Sequence, residues 1–385
     1  MIRKNRLPLS GSTYIVLLAF LRNAPATLIA PILPLFIKNL VKEEAYVGYI
    51  FTITSLMLLI SNFVVIKLLQ KINKLNLFRI SALISGISYL VLSVITNLYQ
   101  FLILEIFRVL ALVSGFMIVM LYIREYSSRK TIGKNEGLYY TTANLAWMIG
   151  PLIGGLIAEA YQFKTSFILA AVFPLIIFIL LFIKPLKKDH TTVQTNTSFQ
   201  NIKLFFKDKN LRKIYFIATG GVLWVISTYI YLPLFMRDNN FSISYIGYAL
   251  FAMVIPLVLF EIPAGKLADK IGYRKVFFMG FALIALAALS IFFATPFMTI
   301  ILIILASIGV AFVEPLRDAY FFAYIKKSDE LKYIAPYVTH HEAASLIGPL
   351  ILSSILLFAP FKIMFTIMGV FMLAFALLSL TLKEI

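Results

Sequence analysis

Three ionisable side chains on one helical face are the residues best placed to do chemistry in this chain. Glu314, Arg317 and Asp318 are spaced at i, i+3 and i+4 within a long apolar run, so they share one face of a helix. Charges inside such a run are costly and usually mark an ion or substrate pathway. We therefore expect Glu314 or Asp318 to carry a proton. The alternative is a charge network that only closes an inner gate, which suits Arg317 and Asp318 because they lie near the end of the run.

A second group of ionisable residues follows in the next apolar run. His340, His341 and Glu342 are consecutive, and Glu261 lies in an earlier run at a similar depth. Histidine titrates near neutral pH, so with these carboxylates it predicts a site that takes up and releases a proton, Glu342 being a further candidate. Neighbouring residues of a helix point about 100° apart, so the two histidines are not spaced to bind one metal ion. No metal site is expected.

The first half of the chain holds three more charges inside apolar runs. Arg108 lies near the middle of its run, and Glu105 is three residues earlier on the same helical face, so the two are expected to pair. The pair is either static or one in which the arginine tunes a proton-carrying acid. Arg22 has no acid in its own run. It is expected to meet either an acid of the other half or an anionic group of a substrate.

Other kinds of chemistry find no support in the sequence. The chain has no GxxxxGK[ST] loop of the type that holds nucleotide phosphates, which argues against ATP hydrolysis within it. The absence of cysteine excludes disulfides and thiolate metal sites. We therefore expect neither an enzyme nor a bound cofactor.

Membrane-spanning helices are the elements that must position these residues. Of the 385 residues, 61% are hydrophobic and only 14% are charged, which is too apolar for an ordinary soluble domain. The apolar runs repeat at about 20 residues, the length of a helix that crosses a bilayer. The sequence predicts an all-α polytopic membrane protein with twelve spans. They are residues 12–37, 45–70, 78–96, 99–123, 137–160, 164–184, 212–236, 244–266, 276–295, 297–323, 333–359 and 361–382.

The distribution of positive charge predicts the orientation. Of the 35 Lys and Arg residues, 27 fall on the side of the two termini, five on the opposite side and three inside the spans. This excess predicts a multi-pass protein of the cell membrane with cytoplasmic N- and C-termini. The net charge of +18 is then a topological signal and an attraction to anionic lipid, and no nucleic-acid binding is expected. We expect a monomer.

The two halves of the chain repeat one another. Leu33–Phe36 recurs as Leu232–Phe235 at an offset of 199, and Ile149–Leu152 recurs as Ile347–Leu350 at an offset of 198. Matches in nearly one register predict two six-helix bundles of parallel orientation. The linker between them is expected to hold either a short amphipathic helix or an extension of the next span. The predicted domains are residues 1–184, the cytoplasmic linker 185–211 and residues 212–385.

A short basic stretch between the eighth and ninth spans is the most distinctive motif. Residues 265–275 read Gly-Lys-Leu-Ala-Asp-Lys-Ile-Gly-Tyr-Arg-Lys, with Asp269 as the single acid. Its two glycines are expected to permit close helix approach and a sharp reversal. The equivalent stretch of the first half has Gln70 in place of the acid. A gating role is predicted for Gly265, Asp269, Gly272, Arg274 and Lys275.

A second motif lies in the fifth span. Residues 146–155 read Ala-Trp-Met-Ile-Gly-Pro-Leu-Ile-Gly-Gly. Pro151 removes an intrahelical hydrogen bond and can kink the helix. Gly150, Gly154 and Gly155 present a face without side chains, which favours close packing against another helix.

These motifs resemble signatures of the major facilitator superfamily. The loop is similar to G-x-L-A-D-R-x-G-R-K, with Lys270 and Tyr273 in place of two arginines. The fifth span is similar to G-x-x-x-G-P-x-x-G-G of the drug/proton antiporter branch, with Ala146 in place of the first glycine. Arg108 stands where the family pattern R-x-x-x-G places its arginine, although Leu112 replaces the glycine. The spacing around Leu33–Phe36, Arg124–Tyr126 and Glu261–Pro263 is similar to that of bacterial sugar-efflux transporters.

The resemblance implies a mechanism. Two six-helix bundles would flank a cavity formed mainly by spans one, four, seven and ten, and would rock about it. The loop acid would lie against the N-terminus of a helix in the other bundle, where free N–H groups favour an anion. Here the partner of Asp269 would be the start of span five, near Asn135–Gly137, and the contact would stabilise the outward-open state.

The function predicted from these features is secondary active export of a small molecule in exchange for protons. One alternative is proton-coupled or facilitative uptake of a sugar or metabolite. Another is a non-transporting sensor or a lipid-handling protein on the same fold. The expected partners are a small-molecule substrate, protons and the lipid bilayer.

Overall fold

The chain is almost entirely helical in the part that the structure, a computed structural model, describes. That part is residues 11–127, 132–186 and 199–385, and no β-strand occurs within it. A backbone in hydrocarbon must satisfy its hydrogen bonds within the segment, which is why long apolar runs become helices. The all-α fold expected from the sequence is confirmed. The helices are α1 (Gly11–Ile29), α2 (Leu33–Val41), α3 (Glu44–Lys71), α4 (Lys74–Leu92), α5 (Leu98–Glu125), α6 (Ile132–Ile183), α7 (Phe199–Lys207), α8 (Lys209–Asp238), α9 (Ile243–Ile271), α10 (Tyr273–Ser290), α11 (Pro296–Tyr324), α12 (Glu330–Val338), α13 (His340–Leu356) and α14 (Phe361–Ser379).

Each of the twelve predicted spans has a helical counterpart, but three places depart from one helix per span. Among the described residues, nine helices are long and apolar enough to cross a membrane, and the pair α1 and α2, bent by 46°, would make ten. Helix α6 is 52 residues long and is interrupted at Gln162, whose φ of 70° lies in the left-handed region, so it holds spans five and six. Span eleven is divided at Thr339 into α12 and α13.

Short polar side chains cap the N-termini of several helices, as their positions in the sequence suggest. The Asn97 side chain accepts a hydrogen bond from the backbone N–H of Gln100 at 3.0 Å and begins α5. The Asp208 carboxylate accepts from the N–H groups of Asn210 (2.8 Å) and Leu211 (2.9 Å) and begins α8. Side chains of this kind satisfy the N–H groups that a first helical turn leaves free.

The chain folds as two compact units. Of the described residues, those within 11–33 and 57–186 form the first unit, and those within 34–56 and 199–385 form the second. Residues 34–56, which comprise nearly all of α2 and the first part of α3, therefore group with the C-terminal half. The predicted domain limits differ from these units at this segment.

Each unit has its own core. In the first, α1 packs on α6 and α5, and α4 packs on α5 and α6, around buried side chains such as Tyr14, Leu18 and Tyr122. In the second, α8 packs against α11, α13 and α14 and is the most buried of the candidate spans in the described residues. Large apolar side chains elsewhere on the spans, for example Phe63 and Ile262, remain exposed, as expected of surfaces that face lipid.

Helix α7 is separate from the span that follows. It ends at Lys207, and α8 begins after the cap at Asp208. The Phe205 ring is fully buried and packs against Tyr215 and Phe321. The described part of the linker thus forms the short amphipathic helix, with its apolar face against protein. Residues 187–198, the remainder of the linker, lie outside the described residues.

Candidate functional site

The buried ion pair of the first unit lies within one helix. In α5, the Arg108 Nε donates to Glu105 Oε2 at 2.7 Å, and the Arg108 Nη2 donates to Glu105 Oε1. Glu105 is 1% exposed and Arg108 is 5% exposed. Two parallel bonds are the strongest geometry available to an arginine and a carboxylate, and they neutralise both charges in a place where either alone would be costly.

Tyr89 extends this pair towards α1. Its fully buried ring, on α4, lies 5.8 Å from the Arg108 guanidinium carbon. Tyr89 also interacts electrostatically with Arg22 of α1. We refer to Arg22, Tyr89, Glu105 and Arg108 as the polar cluster of the first unit. Sequence reasoning missed Tyr89, because a tyrosine in an apolar run is ordinary packing by composition.

Arg22 is the uncompensated charge of this cluster. Its Nη1 donates to the Asn23 Oδ1 at 2.7 Å, and its Nη2 donates to the Leu112 carbonyl oxygen at 3.2 Å. Its guanidinium carbon lies 5.2 Å from the centre of the Phe116 ring. It forms no ion pair with any residue that the structure describes.

The acids of α11 share a single arginine. The Arg317 Nη2 lies 3.7 Å from Glu314 Oε1, and its Nε lies 3.8 Å from Asp318 Oδ1. Both distances exceed hydrogen-bond length, so the arginine interacts with two carboxylates by charge and is held closely by neither. The i, i+3 and i+4 spacing does place the three side chains together.

Tyr337 connects α11 to the histidine of α13. Its hydroxyl donates to Asp318 Oδ1 at 2.8 Å, and its carbonyl oxygen accepts from the His340 Nδ1 at 2.8 Å. A carbonyl can only accept, so the Nδ1 of His340 bears a hydrogen and the proton that titrates is on Nε2. The Tyr337 ring stacks on Phe321 with centroids 3.9 Å apart. The sequence pattern did not indicate Tyr337 because the contact joins different helices.

The other predicted ionisable residues of the second unit differ from one another in burial and in their neighbours. His340 is buried and His341 is exposed, as the 100° rotation between neighbours requires. Glu342 is half-buried, and its Oε2 has no hydrogen-bond partner among the described residues. Glu261 on α9 interacts electrostatically with Glu314.

The Gly–Pro motif lies where α6 crosses α1. A Cβ atom built on Gly150 would lie 2.9 Å from the Thr27 carbonyl carbon, and one on Gly154 would overlap the Leu28 carbonyl group. The two helices therefore touch backbone to backbone, as small residues permit. Gly155 is also buried, as are Ala146 and Pro151.

The corresponding helices of the second unit also pack together, there through side chains. Gly348, the counterpart of Gly150, lies on α13 against α8, where a Cβ would be 3.3 Å from Leu223 Cγ and 3.4 Å from Ser227 Oγ. In each half, the Gly-Pro-Leu helix thus packs on the first helix of that half. The sequence repeat is therefore matched by a repeat of helix packing.

The loop motif is more helical than expected. Helix α9 continues to Ile271, and only Gly272, with φ 88° and ψ 149°, separates it from α10. Gly272 makes the sharp reversal. At Gly265 a Cβ would meet no atom within 4 Å, so the close helix approach expected there does not occur among the described residues.

The polar residues of the loop motif lie at the surface. Asp269 and Lys275 are exposed, and the Arg274 Nη2 pairs with Glu384 Oε1 at 2.7 Å. This pairing joins α10 to the segment after α14 and was not predicted. Gly137 belongs to the region predicted to receive Asp269, but the side chains of residues 132–136 lie outside the described part of the structure.

The fold and these motifs define a membrane transporter of the major facilitator type. The sequence profile of the Major Facilitator Superfamily matches residues 15–255 and 224–384, so the chain belongs to this superfamily. Solved structures share the fold: a nucleoside transporter, NupG, has a TM-score of 0.77 over 96% of this chain and 98% of its own, at 13% identity. A POT family transporter in complex with 5-aminolevulinic acid has a TM-score of 0.78 over 95% of this chain and 94% of its own, at 12% identity.

Relatives with greater sequence similarity include drug-resistance proteins. The multidrug resistance protein MdtG of Proteus mirabilis is 32% identical over 299 residues, covering 72% of this chain and 70% of the relative. MdtG of Escherichia coli is 28% identical over 272 residues, covering 67% of this chain and 65% of the relative. An uncharacterised MFS-type transporter of Methanocaldococcus jannaschii is 25% identical, covering 71% of this chain and 72% of the relative.

Proposed function

We propose that this transporter exports a small molecule across the cell membrane in exchange for protons, by alternating access, with both termini in the cytoplasm. The observation that carries the proposal is the set of ionisable groups on α11 and at the start of α13. Ionisable groups inside membrane spans are costly and usually mark an ion or substrate pathway. The protein is a carrier with no chemical step, and its partners are the substrate and protons.

Arg317 is the centre of the proposed proton site. It lies between Glu314 and Asp318 without a hydrogen bond to either. Protonation of one carboxylate removes its attraction for the guanidinium, which then moves towards the other carboxylate at little cost. Proton binding is in this way converted into a side-chain displacement on the helix that lies against α8.

Tyr337 and His340 supply the route by which that displacement reaches α13. The Tyr337 hydroxyl is held by Asp318, and the same residue's carbonyl orients the His340 ring. If Asp318 takes up the proton, its hydrogen bond from Tyr337 weakens and the junction at Thr339 is free to move. Span eleven is divided at this junction, so it is the natural place for a local rearrangement.

Export is supported by the relatives and by the Gly–Pro helix. The proteins named MdtG are multidrug resistance proteins, and this chain shares 28–32% identity with them. Residues 146–155, which resemble the antiporter signature, form the backbone contact between α6 and α1 described above. The charge asymmetry of the chain supports cytoplasmic termini.

Proton exchange is tested in proteoliposomes that contain a trapped pH indicator and carry an imposed pH gradient. Addition of a substrate from a panel of drugs and metabolites should release protons in the direction opposite to substrate movement. Removing the carboxylate that takes up the proton, by Glu314→Gln or by Asp318→Asn, should abolish this coupling while substrate binding persists, because the amide cannot lose a proton. Arg108→Ala tests whether Arg108 tunes a proton-carrying acid.

Asp238→Asn is the matched control, because Asp238 is an exposed acid at the end of α8. It should leave coupling unchanged. Proton and substrate movement in the same direction would support uptake and contradict export. Unaltered coupling in both Glu314→Gln and Arg108→Ala would remove these residues from the proton route.

A further inference from the structure

Two hydrogen-bond donors next to each other on α1 have no acceptor. The Arg22 Nε and the Asn23 Nδ2 are buried, and neither has a hydrogen-bond partner in the part of the chain that the structure describes. Their orientation is set by the bond from Arg22 Nη1 to Asn23 Oδ1, which turns the Asn23 amide nitrogen away from the guanidinium. Buried donors without partners are rare, and each one calls for an acceptor.

The charge around these donors is positive. Glu105 is already bound at both of its oxygens by Arg108, so it offers little to Arg22. The cluster of Arg22, Tyr89, Glu105 and Arg108 thus carries one excess positive charge. A buried charge without a counter-ion is strongly unfavourable, so an anion is the group that this cluster lacks.

A small cavity lies beside Arg22. Its walls come from α1, α4, α5 and the second part of α6, and they include the Ser81, Ser85 and Gly115 positions. A Cβ on Gly115 would lie 3.7 Å from Arg22 Cγ and 3.8 Å from its Nε, so the glycine leaves the guanidinium free of steric contact on that side. The Ser81 hydroxyl already donates to the Phe78 carbonyl oxygen, and most of the other wall residues are apolar. The guanidinium is therefore the group that favours an oxygen anion in this cavity.

We infer that Arg22 binds the anionic group of the transported substrate, a carboxylate or a phosphate monoester. The inference rests on the proposed transport function and names the substrate class. The guanidinium offers Nε and Nη in the fork geometry that matches two oxygens of such a group. The rest of the substrate is not specified by this site.

The test is equilibrium binding by the purified protein, followed by the shift in Tm. The panel pairs compounds of one carbon skeleton and different charge: benzoate, benzamide and benzylammonium, with phenyl phosphate as the second anion. Wild-type protein should be stabilised by the anions only. Arg22→Gln should weaken anion binding at least about tenfold, and Arg22→Lys should weaken it less, since it keeps the charge and loses the fork.

Arg79→Gln is the matched control. Arg79 is a second arginine of the first unit with a buried Nε that lacks a partner, but it bonds to the Leu181 carbonyl oxygen and stacks on Phe182, away from the cavity. This variant should retain anion binding. Without ligand, Arg22→Gln should have a Tm no lower than that of the wild type, because it removes an uncompensated charge; a structural arginine would show the opposite.

Stabilisation of the wild type by benzylammonium or benzamide alone, or by no compound of the panel, would overturn the inference. So would anion binding that survives in Arg22→Gln, which would leave an ordered water as the occupant of the cavity. Binding does not require a pH gradient. An Arg22-dependent anion site in a protein without proton exchange would therefore refute the proposed function and leave this inference standing.

Discussion

Gly48 on α3 lies directly against the hydroxyl of Tyr231 on α8. A Cβ on Gly48 would overlap that hydroxyl and the Ser353 Oγ, and would lie 2.8 Å from the Pro349 carbonyl oxygen. The Tyr231 hydroxyl is fixed in place, because it donates to the Pro349 carbonyl at 2.9 Å and bonds with the Ser353 Oγ at 3.0 Å. Only glycine fits at this point, where residues 34–56 join the second compact unit.

Replacing Gly48 by alanine should open this contact. Overpacking of a tight contact costs about 1–3 kcal/mol, which lowers the population of the state with this contact closed by roughly 5- to 150-fold. Because the chain has no cysteine, Ser353→Cys provides a single label site that is buried in the contact. A membrane-impermeant maleimide should label Ser353→Cys faster when Gly48→Ala is present. Gly265→Ala, where a Cβ meets nothing within 4 Å, is the control; equal labelling rates in all three proteins would contradict the prediction.

Gly154→Ala should destabilise the first unit through the contact of α6 with α1. The methyl group would meet the Leu28 backbone, which has no side-chain rotamer by which to yield. We expect a loss of stability at the upper end of the ~1–3 kcal/mol range for overpacking, and a smaller loss for Gly150→Ala, whose nearest neighbour is the Thr27 side chain. The Tm of each purified variant gives the measurement.

Gly137→Ala is the control for this series. It lies on the same helix α6, and a Cβ there would meet no atom within 4 Å. Removing the conformational freedom of a helical glycine should stabilise by about 0.5–1 kcal/mol. A Tm for Gly154→Ala equal to that of Gly137→Ala would show that α6 and α1 do not touch at the motif.

Glu105→Gln should cost far more stability than the loss of a surface ion pair. It leaves Arg108 buried without its carboxylate, a change worth about 3–5 kcal/mol. Glu384→Gln removes the partner of Arg274 at the surface and should cost about 0–1 kcal/mol. The double variant Glu105→Gln, Arg108→Gln should recover part of the loss, since no charge remains unpaired. A double variant as unstable as the sum of its parts would indicate that the two side chains act independently.

The helices, and the contacts within one helix, could be predicted well from the sequence. The spacing of Glu105 and Arg108 was sufficient to place them together, because residues three apart on a helix are neighbours whatever surrounds them. The contacts of Tyr337 with Asp318 and of Gly48 with Tyr231 join different helices. They depend on the rotation and depth of each helix, which a single apolar sequence does not determine, since lipid-facing and buried positions have the same composition. Such contacts were therefore missed.

The gating role proposed for Asp269 predicts an effect opposite in sign to that of Gly48→Ala. If the acid stabilises the outward-open state through a helix N-terminus, Asp269→Asn loses a contact worth ~0.3–2 kcal/mol. The population of the outward-open state then decreases roughly 2- to 30-fold. Ser353→Cys should then be labelled more slowly from outside. Asp329→Asn, a change of another acid on the predicted cytoplasmic side, should have no effect. Unchanged transport and unchanged labelling in Asp269→Asn would contradict the proposed gating role of this residue.

The orientation of the protein can be decided with two exposed positions, one at each end of α9. Asn240 precedes this helix and Lys270 lies in its last turn, and both side chains are exposed. The excess of 27 over five positive residues predicts that Lys270 lies in the cytoplasm and Asn240 outside. In intact cells, an impermeant maleimide should label Asn240→Cys and leave Lys270→Cys unlabelled, while permeabilised cells should show both. The reverse pattern would contradict the predicted orientation and place the acids of α11 towards the outer side. The proposal of export in exchange for protons would then lose its basis.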